Sequence, residues 1–178
     1  MEFKIYGPFS MPRTHRGLIT TGAKLKRGFW QEVDEAVDEL SEACGCYVFA
    51  ISPPGGGAKP WYVGMTGRQG FQRECFQSHK INLYNNALAE YERGIPQLYL
   101  IAKLTTSKKT FAKPRSNGHG DVEKLEEVLI GIAYARNQNL LNIRGTAFLR
   151  DVVIPGVMNT PPGNPGVAAG ELKRLLGL

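Results

Sequence analysis

The sequence predicts a mixed α/β chain of the α+β kind, in which short strands and amphipathic helices share one core. Three observations predict it. First, Gly45–Thr66 (GCYVFAISPPGGGAKPWYVGMT) holds two strand-like runs, Cys46–Ile51 and Trp61–Met65. Both are rich in aromatic and β-branched residues, which suit a pleated, half-buried surface. Second, Gln97–Leu104 reads as a third, buried strand. Third, apolar residues recur at helical spacing in three other segments, with charged residues on the remaining positions.

The hairpin is the centre of the pattern. Ser52–Pro60 carries prolines that cannot donate to a ladder and glycines open to unusual backbone angles, so it is a turn. Alternation puts Tyr47 on one face with Phe49 and Ile51, and Tyr62 on one face with Gly64. A glycine inside a strand marks close approach by a ligand or another backbone. Tyr47 and Tyr62, with Gly45 and Gly64 beside them, fit the rim of a small site; they fit equally well as core aromatics.

Residues 1–27 open with a short strand signal at Phe3–Ile5 and become irregular and basic, the pattern of an arm leading into the domain. Trp30, Val33, Val37 and Leu40 predict a helix of roughly three to four turns, with Gly45 placed to end it. Its carboxylates read as a solvated face. Gly67–Lys80 carries Arg68, Arg73, His79 and Lys80 among aromatics, and Ile81, Tyr84, Leu88 and Tyr91 mark a second helix, closed by Gly94 and Pro96. Thr105–Gly120, with Lys108, Lys109, Lys113 and Arg115, is by composition a mobile, phosphate-contacting loop. Asp121 caps a third helix with Glu123 near its N-terminal dipole. Val122, Leu125, Leu129 and Ile132 form that helix's buried stripe, and Glu126 falls on its shoulder, about a hundred degrees from Leu125. A carboxylate there can reach a cleft or simply be solvated. Phe148–Ile154 reads as one more strand, Pro155–Gly166 as a linker, and Val167–Leu176 as a short amphipathic helix.

The totals narrow the classes. With 178 residues, 42% hydrophobic and 21% charged, the chain supports one ordinary core and is no disordered tail. No apolar run approaches the length that spans a bilayer, and no signal-peptide core opens the sequence, so no membrane partner is expected. Cys44, Cys46 and Cys75 are odd in number and lack zinc-ligand spacing; reduced thiols in a cytoplasmic protein fit best. The net charge of +6 favours an anionic partner.

Gly45-Cys46-Tyr47, then Tyr62-Val63-Gly64, a basic helix start, Leu125-Glu126-x-x-Leu129-Ile130 and finally Leu141-Asn142 resemble, in order and separation, the GIY-YIG nuclease domain. The resemblance spans about Gly45 to Asn142. It divides the chain into 1–44, a basic arm and amphipathic helix; 45–142, the nuclease-like core; and 143–178, an extension, all in one compact unit. It implies a small three-stranded antiparallel sheet flanked by helices, and hydrolysis of phosphodiester bonds in DNA, RNA staying open, with one divalent ion, Mg2+ or Mn2+, and no small-molecule cofactor. It implies that Glu126 holds the metal, that Tyr47 and Tyr62 position or activate the attacking water, and that Asn142 helps arrange the site. Arg73 or Lys80 would stabilise the phosphate, and His79 is a relay candidate for Tyr47. Magnesium suits one carboxylate completed by waters and phosphate oxygens. A phenol titrates near ~10, so Tyr47 as a base requires positive charge nearby or that relay.

The sequence also departs from the family pattern. Cys46 replaces an aliphatic residue, and Arg73 and His79 are displaced relative to the usual positions. An insertion at Gly67–Gly70 absorbs the shift; if the helix instead begins later, Arg73 points elsewhere and Lys80 is the cation of the site. Arg68, Lys108, Lys109, Lys113 and Arg115 are the candidate nucleic-acid contacts, and Gly45 and Gly64 structural positions. A catalytically weak or inactive nucleic-acid-binding module on the same fold is the alternative reading, and a protein-interaction domain the third. The sequence does not fix the oligomeric state.

Overall fold

A computed structural model describes residues 1–20, 22–90, 93–107, 109–160, 163 and 166–177, with backbone only at 143 and 144. Contacts divide it into two units, Met1–Asn142 and Ile143–Leu178.

The first unit is built on one antiparallel sheet. Its strands are β1 (Glu2–Ser10), β2 (Gly45–Ser52), β3 (Lys59–Thr66) and β4 (Ile95–Leu104), in the order β1-β4-β2-β3. The mixed α/β class stands, but the sheet has four strands where three were expected. The extra strand is the presumed basic arm: β1 pairs with β4 with Ile5 opposite Ile101. Only part of it carries an alternating apolar signal, because β1 lies at the sheet margin and most of its residues are exposed.

Side-chain alternation separates two faces. Tyr47, Phe49, Ile51, Leu98 and Leu100 face a core closed by α1 (Ala23–Ala36) and α3 (Ser78–Ala89), with Phe29, Trp30, Val33, Ile81, Tyr84 and Leu88. Phe49 and Tyr84 stack at 4.1 Å and 14°, a contact worth about 1 kcal/mol beyond area burial. Cys46, Val48, Val63 and Ile101 face the other way, under Val122, Leu125, Leu129, Ile130 and Ala133 of α4 (Gly120–Arg136). Ile132, expected in that helix's buried stripe, is 63% exposed; Ile130 and Ala133 take the inner positions.

Several boundaries differ from expectation, each for a local reason. α1 starts earlier, within the basic arm, and ends at Ala36; Val37 is extended at φ −150°. Leu40 is fully buried from a separate 3-10 turn, Leu40–Glu42, because the Asp34 carboxylate takes both the Ser41 amide (2.8 Å) and hydroxyl (2.6 Å) and draws the chain back. Gly45 therefore opens β2 and terminates no helix. The 105–120 segment, expected as a mobile loop, is pinned: Ala112 donates to the Lys103 carbonyl (2.9 Å), Cys44 to that of Ala112 (3.0 Å), and Arg115 to that of Gly67 (3.0 Å). All three cysteines are free and buried. Among the described residues no helix is long and apolar enough to cross a membrane. Tyr91 lies outside the described residues.

In the second unit, the expected strand Phe148–Ile154 is instead mostly helix, α5 (Ile143–Asp151), and α6 (Val167–Leu176) lies further along the chain. The β-branched triplet Val152-Val153-Ile154 follows the helix, where the Asn159 amide donates to the carbonyls of Leu149 (2.6 Å) and Val152 (2.8 Å), closing its end.

A Cβ on Gly45 would lie 2.0 Å from the Ile101 carbonyl oxygen of β4, and neither central strand can retreat. Gly45→Ala should cost about 3 kcal/mol, read as a lower urea midpoint with an unchanged slope.

Candidate active site

The site begins with strand register. Tyr47 of β2 lies opposite Gly64 of β3, and Phe49 opposite Tyr62. A Cβ on Gly64 would come within 2.4 Å of both Cζ and Oη of Tyr47. The Tyr47 ring thus lies across the strand where β3 has no side chain. Its centroid is 6.2 Å from that of Tyr62, so the two motif phenols share one pocket. Tyr47 is fully buried and Tyr62 half-buried, which makes Tyr62 the phenol within reach of solvent.

The helix after the hairpin is broken. Gly70 packs so closely that a Cβ would meet the Glu42 backbone at 2.8 Å, and Phe71 N–H donates to the Ala43 carbonyl at 3.1 Å. These contacts confine α2 to one turn, Phe71–Glu74, before α3 restarts at Ser78. The later start brings Lys80 to the site. Its Nζ donates to Tyr47 Oη at 2.5 Å, lies 5.1 Å from the Tyr47 ring centroid and forms an ion pair with Glu74. Lys80 is 5% exposed, so this cation is almost wholly enclosed. Arg73 and His79 are exposed, and neither contacts the phenols among the described hydrogen bonds and ion pairs.

Glu126 approaches from α4, on the other face of the sheet. It is half-buried, and its charge acts on Tyr62, Lys80, Glu74 and Cys46. Burial raises its pKa above the ordinary carboxylate value; Lys80 opposes the rise, and Glu74, Glu127 and Glu123 add to it. Burial likewise pushes Tyr62 up to about 12, with Glu126 and Glu74 adding to the rise. Tyr47 is raised well above 10, first by burial and then by Tyr84, Cys75, Tyr62 and Glu74. Both phenols therefore hold their protons at neutral pH. The sequence pattern left Glu74 and Tyr84 without a functional role. Tyr84 had only its helix stripe to announce it, and Glu74 meets Lys80 only because the helix breaks between them. The Tyr84 hydroxyl is buried without a hydrogen bond of ordinary geometry, edge-on to Tyr62 at 5.7 Å.

Beside Glu74, a cavity of about 370 Å³ is lined by Thr66, Arg68, Gln69 and Glu123, among others. Arg68 is exposed at its rim. Asn142 is bonded to both backbone groups of Val63, accepting from N–H at 2.8 Å and donating to C=O at 2.6 Å. It thus fixes the strand residue between Tyr62 and Gly64. Lys109 is paired with Glu2 and Lys113 with Glu39 at 2.9 Å, both exposed; Arg115 is exposed, and Lys108 lies outside the described residues.

Three further carboxylates raise Glu126, which leaves an excess of negative charge that a divalent ion would offset. Magnesium takes one or two carboxylates and completes its shell with water and phosphate oxygens. Among the described residues no cluster of three or more His, Cys, Asp or Glu side chains forms a closed cage. Comparison with protein-family models, with curated proteins and with solved structures finds no match to this chain.

The raised Glu126 pKa has a stability consequence in the metal-free protein. The folded chain holds this proton more tightly than the unfolded chain, so its contribution turns unfavourable as pH rises through that window. Glu126→Gln should be more stable than the parent at pH ~7, the two converging below ~4, in urea melts across that range.

Proposed function

We propose that this chain is a divergent GIY-YIG-type endonuclease that hydrolyses phosphodiester bonds in DNA with one divalent ion. The observation that carries the reading is the meeting of Tyr47, Tyr62 and Lys80 in one pocket within the electrostatic reach of Glu126. Tyr47, Tyr62 and Lys80, from two separate stretches of sequence, meet directly, and the Glu126 charge acts on Tyr62 and Lys80 from a third.

Glu126 would hold the Mg2+ or Mn2+, which when bound supplies positive charge to the phosphate. Tyr62, the more exposed phenol, orients the attacking water with its hydroxyl, and Tyr47 supports it from behind. Both hydroxyls are protonated at neutral pH, so they act by hydrogen bonding and the proton of the attacking water passes to bulk solvent; Lys80 holds the Tyr47 hydroxyl in place by donating to its oxygen. Lys80 occupies the role that Arg73 and His79 were candidates for, and Arg68, which lines the cavity beside Glu74, is a candidate phosphate contact. A cytoplasmic protein with reduced thiols suits this activity.

One observation favours the alternative of a DNA-binding module without turnover: the Lys80 charge is already neutralised by Glu74, and Tyr47 has no solvent-exposed surface. Plasmid nicking separates the two. The parent should nick supercoiled DNA with Mg2+ or Mn2+ and stop on chelation. Glu126→Ala should remove activity, and Tyr47→Phe should lower it by about 100-fold. A parent that binds DNA in a steeply salt-dependent manner yet never nicks it would establish the binding module instead.

A further inference from the structure

We propose that Glu74 is a positioning residue, which fixes the Lys80 ammonium against Tyr47 and thereby sets the direction of the site's hydrogen-bond chain. Its functional meaning rests on the nuclease reading above; its geometry does not.

A lysine stem is long and flexible and ordinarily carries its ammonium out to water. Lys80 does not, at 5% exposure, although its neighbour His79 is exposed on the same helix turn. A neutral phenol alone is a poor reason for an ammonium to stay enclosed; a carboxylate is a sufficient one. Both Glu74 oxygens are engaged. Oε1 accepts from Lys80, and Oε2 accepts from the side-chain amides of Gln69 and Gln77, the latter at 3.2 Å. The carboxylate is thus oriented from both sides of the break between α2 and α3. The break itself is required: residues six apart on a continuous helix lie about 120° apart around the axis and about 9 Å along it, and do not face each other.

The direction of the chain follows. An ammonium is a donor only, so Lys80 gives a proton to Tyr47 Oη and accepts none. The Tyr47 proton must then point away from Lys80, towards the two other phenols of the pocket, Tyr62 and Tyr84. The groups facing Tyr47 are Lys80 from α3, Glu74 and Cys75 from α2, Tyr62 from β3 and Tyr84 from α3. Among these only Lys80 brings positive charge, and Glu74 holds it there.

The test uses the full chain. Native reductive methylation followed by peptide mass spectrometry should find Lys80 far slower to react than the exposed Lys24 and Lys59. Glu74→Gln should speed Lys80 labelling by about tenfold or more, because a neutral amide no longer retains the ammonium. Glu74→Asp, which keeps the charge one methylene short, should give an intermediate rate and stands in if the glutamine variant does not fold. In plasmid nicking, Glu74→Gln should lower kcat about tenfold with little change in KM, and should add no further loss in a Tyr47→Phe background. Parent Lys80 labelling as fast as Lys24, unchanged labelling in the variants, or a full additional loss in the Tyr47→Phe background would each overturn the proposal. A parent without nicking activity would count against the nuclease reading alone, and the labelling rates would still decide this one.

Discussion

Everything at the centre of this chain depends on the crossing of the Tyr47 ring over Gly64. The strand register puts a large ring opposite the one β3 position without a side chain, and the ring occupies the vacated space. From there the hydroxyl emerges where α3 can reach it, and the neighbouring Tyr62 turns the same way. A different residue at 64 would lift the ring off the strand and separate the phenols from Lys80. A packing constraint and the construction of a polar pocket are here the same event.

The pocket concentrates charge at the edge of an aromatic core. Lys80 is the enclosed cation; Glu74 is bonded to it, and Glu126 senses it from another helix. Removing one member of a buried pair is costly because its partner stays buried and unpaired. The aromatic rings around the pair raise that cost, since they exclude the water that would otherwise solvate each charge. The same exclusion raises the Tyr47, Tyr62 and Glu126 pKa values, so one environment sets both the stability and the protonation of the site.

How much of this was legible in the sequence depends on the range of the interaction. The hairpin, the β4 strand and the α4 stripe, Ile132 apart, announced themselves through period and turn chemistry, whereas Tyr47, Tyr62, Glu126 and Asn142 were singled out as a group only by the family resemblance. β1 was half-legible: its short signal at Phe3–Ile5 was visible, but its partner β4 lies about a hundred residues away and no local pattern names it. Phe148–Ile154 was misread because its β-branched residues cluster just beyond the end of a helix. The choice of Lys80 over Arg73 turned on where a helix breaks, and that is decided by Gly70 against the Glu42 backbone, a tertiary contact. Glu74 had no signal, because its meeting with Lys80 exists only across that break.

Asn142 has a consequence beyond the alignment of Tyr62. β3 is the outermost strand on its side of the sheet, and an outer strand is an open invitation to a strand from another molecule. The asparagine amide answers both backbone groups of Val63, and Asn137 caps the Pro60 carbonyl at 2.8 Å further along. Two side chains thereby imitate a fifth ribbon and discourage self-stacking.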